Sequence, residues 1–147
     1  MSIRFTSQDI DFELPQADRV KKWISQVVCR RGKRVGNISY LFCDDEHLLE
    51  VNRQFLNHDT YTDIITFDYV AADLISGDIM ISVDRVGDNA TLFGVSFEQE
   101  LHRVIIHGVL HLLGQGDKSD AEAAEMRRQE EEALLLWNTM FPVEQTC

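Results

Sequence analysis

The chain has 147 residues, 44% hydrophobic and 27% charged, with two prolines and eight glycines, which suits one globular domain and excludes a disordered or fibrous chain. No window approaches the roughly 18 uninterrupted apolar residues of a membrane span, and the N-terminus lacks the basic-then-apolar plan of a secretory signal, so a cytoplasmic protein without a membrane partner is expected. The net charge of −11 weighs against non-specific attraction to nucleic acid, so DNA is not an expected partner and any RNA partner needs a local basic patch.

Residues 2–6 suit a short strand, and after Pro15 the apolar positions Val20, Trp23, Ile24, Val27 and Val28 recur at helical spacing, which predicts an amphipathic helix over 16–30. Arg19, Lys21, Lys22, Arg30, Arg31, Lys33 and Arg34 gather half of the 14 basic residues here. They read either as a solvated face running into a basic turn at Gly32 or as a phosphate-contacting surface. Residues 35–43 are rich in β-branched and aromatic side chains and read as a strand. Asp44 then caps a helix over 45–56, with Leu48, Val51, Phe55 and Leu56 as its apolar stripe. A polar loop over 57–62 precedes a strand over 63–70, and a turn at Ser76 and Gly77 leads to a third such strand over 78–83. Cys29, Cys43 and Cys147 show no ligand spacing and read as reduced thiols.

A short helix over 84–93 ends at Gly94, and Ser96 with Gln99 matches a capping box that starts the next helix near Phe97. That helix, 97–113, is apolar nearly all round and should be buried at the centre of the fold. It carries His107 and His111, four apart and so side by side on one face, which is metal-ligand spacing. Gly114 stops the helix, and Asp117 can swing back to complete a facial set of three ligands with an open position. Glu100, two turns before His107, falls on the same face as a partner or base for that histidine, or simply favours the helix N-terminus. His102 reads as a packing or surface residue, and His47 and His58 lack ligand spacing. Ser119 and Glu122 repeat the capping signature before a last helix over 120–138, whose acidic run Glu130, Glu131 and Glu132 reads as a solvated face. In HExxH hydrolases a glutamate follows the first histidine; Gly108 stands there instead, so metal-assisted hydrolysis is left with an unassigned base.

The run HGVLHLLGQGD, preceded by YTDIITF and GDIMI, resembles the YbeY family of bacterial metal-dependent endoribonucleases. The likeness includes Asn52, Phe55, Asp59, Thr62, Asp63 and Phe67, then Gly77, Asp78 and Ile79, then Glu100, Leu101, His107, Gly108, Leu110, His111, Leu112 and Gly114. It implies one α+β domain with a small mixed sheet packed with about five helices, the central one bearing the histidines. It also implies one zinc ion with three ligands, cleavage of RNA phosphodiesters in small-subunit ribosomal RNA maturation, and a part in ribosome quality control. The expected partners are ribosomal RNA and the small ribosomal subunit or its assembly factors. This sequence departs from the family pattern in two ways that matter. Asp117 stands for a third histidine, which leaves a harder divalent metal open, and Leu56 stands for an arginine that meets the RNA backbone. Arg53, or Arg31, Lys33 and Arg34 of the N-terminal patch, can take over that contact. Gln115 replaces a usual tyrosine. A non-catalytic metal-binding assembly factor, a metallohydrolase of another substrate and a non-haem iron enzyme are the rival readings.

Overall fold

The computed structural model describes residues 2–142. Cys147 lies outside that range. The element order is β1 (Ser2–Ser7), α1 (Ala17–Arg30), β2 (Arg34–Cys43), α2 (Asp45–Leu56), β3 (Ile64–Asp68), β4 (Leu74–Ser82), α3 (Val83–Phe93), α4 (Phe97–Leu112) and α5 (Asp120–Met140). The sheet order is β1-β2-β4-β3, with β1, β2 and β4 parallel and β3 antiparallel at one edge. This is the mixed sheet with five helices that the sequence suggests, an α+β fold.

Period-two alternation divides the sheet residues between two cores. Ile38, Tyr40, Phe42, Ile79 and Ile81 join the main core with Val20, Trp23, Ile24 and Val28 of α1 and with α4. Cys43 and Ile65 join the smaller core with Leu48 and Val51 of α2. Helix α4 is the central element, touching α1, α3, α5, β3 and β4. Its start is set by Ser96, whose hydroxyl accepts the Gln99 N–H at 3.1 Å, and Ser119 with Glu122 makes both halves of a capping box at α5. Two long-range bonds tie the layers: Tyr40 Oη donates to the Ile105 carbonyl at 2.9 Å, and Trp23 Nε1 donates to the Ala133 carbonyl at 2.8 Å.

Gly108 decides how near α4 comes to the sheet. A Cβ there would stand 2.9 Å from Ile79 Cδ1 and 3.2 Å from Ile64 Cδ1. The position that carries a glutamate in HExxH hydrolases is therefore closed by packing. Gly108→Ala should gain about 1 kcal/mol of helix propensity but incur about 1–3 kcal/mol of overpacking against buried Ile79. A lower urea midpoint is expected; an unchanged or higher one would show that the helix–sheet gap can open.

Two local expectations are corrected. Ser76 and Gly77 are not a turn but lie inside β4, which begins at Leu74; the reversal is at Ala71–Leu74, with Ala72 at φ 55. Gly77 is small because a Cβ would meet the Phe67 carbonyl at 2.6 Å and Leu112 Cδ2 at 2.8 Å, and Ser76 Oγ accepts the Asn37 N–H at the β2 bulge. Phe55 and Leu56 are not core residues of α2: they are 67% and 43% exposed, because only its Leu48, Leu49, Val51 and Asn52 side is buried.

Candidate active site

A pocket of about 440 Å³ opens where the C-terminal half of α4, the edge strand β3, the end of α2 and the loop after Gly114 meet. His107, His111 and Asp117 all line it, together with Asn52, Leu56, His58, Asp63, Arg103 and the hydroxyl residues Thr60, Thr62 and Thr66. Two helical features bring the candidate ligands there. The i,i+4 spacing stacks the two imidazoles on the outer side of an otherwise buried helix. Gly114 at φ 101 then reverses the chain, with its N–H donating to the His111 carbonyl at 3.0 Å, so that Asp117 returns past His107.

His107 is held from both sides. Its Nδ1–H donates to Glu130 Oε2 at 2.6 Å, and its Nε2 faces Asp117 Oδ2 at 3.4 Å. Glu130 is only 3% exposed and takes a second bond, from Arg103 Nη1 at 3.0 Å. Arg103 in turn grips Glu100 with Nε at 2.9 Å and Nη2 at 2.5 Å. The acidic run of α5 is thus not wholly solvated: Glu131 and Glu132 are exposed, but Glu130 points inward, one helical face away from them. The hydrogen bond that helical phase assigned to Glu100 is made by Glu130, and Glu100 is a buried counter-ion of Arg103. His102 packs 4.3 Å from Trp137, ring centre to ring centre.

Charge follows this geometry. Burial disfavours an imidazolium at His107, yet the bond and charge of Glu130, with Asp117 and Asp63 nearby, outweigh it and raise the His107 pKa above the usual 6.5. Burial likewise opposes the Glu130 carboxylate, but His107 and Arg103 bring it below the usual 4.5. At Asp63 burial wins over Arg103 and His107, and its carboxyl rises above 3.8. The sign for metal-free protein follows. The contribution of His107 is complete below the unfolded value near 6.5 and lost as pH rises through the higher folded value. That of Glu130 is present above 4.5 and lost as pH falls through the lower folded value. Melting curves in chelator should therefore decline on the alkaline side, and His107→Ala should remove that slope; a slope that survives assigns it to another group.

The four basic candidates are dispersed. Arg53 is next to the pocket residue Asn52 on α2, but its Nε donates to Asp59 at 2.5 Å and Glu50 is 3.7 Å away. Arg31 donates to Gln129 Oε1 at 3.1 Å, and Gln129 donates to Gln115 Oε1 at 2.9 Å in the Asp117 loop. Arg34 is paired with Asp73 at 3.0 Å. It aligns with Leu74, whereas the pocket residues Thr66 and Ile64 align with Ile79 and Ile81, so Arg34, which follows Lys33, stands about 17–23 Å from them along β4. His58, set aside in the sequence for want of ligand spacing, lines the pocket, as does Arg103, whose pairing with Glu130 on another helix no spacing rule reveals. Among the described residues no three His, Cys, Asp or Glu side chains are already drawn together as a metal cage.

The mixed sheet, the buried helix with two imidazoles at its outer side and the loop carboxylate make one small α+β domain with a polar cleft at the edge of its sheet. The family model described as Endoribonuclease YbeY matches residues 3–138. An endoribonuclease YbeY of Porphyromonas gingivalis is 52% identical over 134 residues, 91% of this chain and 89% of that one. One of Flavobacterium psychrophilum is 52% identical over 130 residues, 88% and 93% of the two chains. One of Bacteroides thetaiotaomicron is 46% identical over 136 residues, 92% and 99%. The solution structure of TM1509 from Thermotoga maritima is similar at a TM-score of 0.64 and 26% identity, covering 98% of this chain and 100% of that one. The chain belongs to the YbeY endoribonuclease family, which the sequence resemblance had indicated.

Proposed function

We propose that this chain is a cytoplasmic endoribonuclease that cuts RNA with one divalent metal, zinc in the first instance, held by His107, His111 and Asp117. Its place is the maturation of small-subunit ribosomal RNA and ribosome quality control, with ribosomal RNA, the small subunit or its assembly factors as partners. The observation that supports the reading is the direction of His107: with Nδ1 taken by Glu130, Nε2 is left toward Asp117, in a pocket that His111 also lines. Two imidazole nitrogens and a carboxylate oxygen suit zinc and other first-row divalent ions, and the oxygen ligand favours harder ones. Bound there, the cation supplies Lewis acidity toward water and a phosphoryl oxygen. The chain itself contributes a polar cleft lined by Asn52, whose Nδ2 donates to the Thr60 carbonyl at 2.8 Å, and by three threonines. Leu56 offers an apolar wall where the family resemblance implies a cation, and Arg53, next to Asn52 on α2 and paired with Asp59, is the basic candidate for contact with an RNA strand.

Purified protein should contain about one equivalent of metal, and His111→Ala and Asp117→Ala should lose both metal and cutting of structured ribosomal RNA. Cutting preserved in both variants overturns the metal assignment. Ribosome binding without cleavage by the wild-type protein replaces this reading with a binding-only assembly role.

A further inference from the structure

We infer that Glu130, backed by Arg103, is a positioning residue that fixes the ring and tautomer of His107 so that its Nε2 lone pair points into the pocket. The inference rests on reading His107 as a metal ligand. A neutral imidazole carries one N–H, and a carboxylate can only accept. At 2.6 Å from Glu130 Oε2 the proton therefore sits on Nδ1, and Nε2 is left as the base. Glu130 divides its two oxygens, Oε2 to His107 and Oε1 to Arg103 at 3.0 Å, so neither contact can take over the other. Arg103 is fixed in turn because its Nε and Nη2 both engage Glu100. Glu130, the buried partner of the ring, is therefore held by Arg103, which Glu100 holds in turn. At 3% exposure, an ionised Glu130 would be costly without these two donors, which explains why the three side chains belong together.

A plain structural tie between α4 and α5 would use the same residues, so the test needs a readout that such a tie leaves alone. Long-range proton–nitrogen spectra of the His107 ring in metal-free protein, recorded above the titration of the imidazole, report the tautomer directly. Competition with a chelator reports affinity for zinc and for manganese. Wild-type protein should show the Nδ1–H form alone. Glu130→Gln should mix the tautomers and weaken metal binding by roughly 10–100-fold. His111→Ala should lose metal while His107 keeps its tautomer. Arg103→Met, which leaves Glu130 and His107 in place, serves if Glu130→Gln does not fold, and should weaken binding to a lesser degree. Unchanged tautomer and affinity in the foldable variant, with metal bound normally by the wild type, overturn only the positioning role. A wild-type protein that binds neither metal overturns the ligand reading itself.

Discussion

His107→Ala and His111→Ala should slow RNA cleavage to the same extent but differ in stability. Lewis acidity contributes several kcal/mol to a phosphodiester transition state. At 1.36 kcal/mol per tenfold, loss of either proposed ligand should therefore lower the rate on the order of 10³-fold. The folding effects diverge because the two imidazoles have different surroundings. His107 is the partner of the buried Glu130, and removing it strips one donor from a 3% exposed carboxylate. Even with Arg103 retained, that should be destabilising by about 1–3 kcal/mol. His111 is exposed and faces the pocket, so its loss should change the urea midpoint little. Chemical unfolding and single-turnover cleavage on the same preparations check both halves. Equal stability of the two variants would show that the Glu130 bond adds nothing to folding.

Trp23→Ala should be the most destabilising single change in the core. The indole is 0% exposed, lies 5.3 Å from the Trp137 ring and 5.6 Å from that of His102, and donates to the Ala133 carbonyl at 2.8 Å. Truncation removes that packing and leaves a buried carbonyl unpaired, about 3–5 kcal/mol, out of about 5–15 kcal/mol for an ordinary domain. Trp23→Phe keeps most of the packing and loses the bond, about 1 kcal/mol. Ala133 is one helical turn from Glu130, so the damage should reach the pocket: metal affinity should fall in Trp23→Ala although the tryptophan is absent from the pocket lining. Full metal affinity in a destabilised Trp23→Ala would separate the docking of α5 from the site.

What the sequence discloses and what it hides divide along local and long-range causes. Asp44, Ser96 and Ser119 announced their helices because a cap acts within one turn, and Asp44 indeed accepts the His47 N–H at 2.8 Å. Gly114 and the spacing of His107 and His111 were readable for the same reason, since both depend on helix geometry alone. The inward turn of Glu130 was not. Nothing in a run of three glutamates says which faces a neighbouring helix; that is settled by how α5 docks on α1, through Trp23, and on α4, through Arg103. Gly77 misled in the opposite sense, because a glycine required by the approach of Leu112 looks, in one dimension, like a glycine required by a turn. His58 came to the pocket by way of a loop, where periodicity offers no guide.

The partner of His107 lies 23 residues further along the chain, on a separate helix. At about 5–20 residues per second of synthesis that gap lasts on the order of 1–5 s. During it a nascent polypeptide has His107 made and no Glu130 acceptor for its Nδ1. The carboxylate that fixes the His107 ring therefore arrives only with α5, and a chain that ends before Glu130 lacks it.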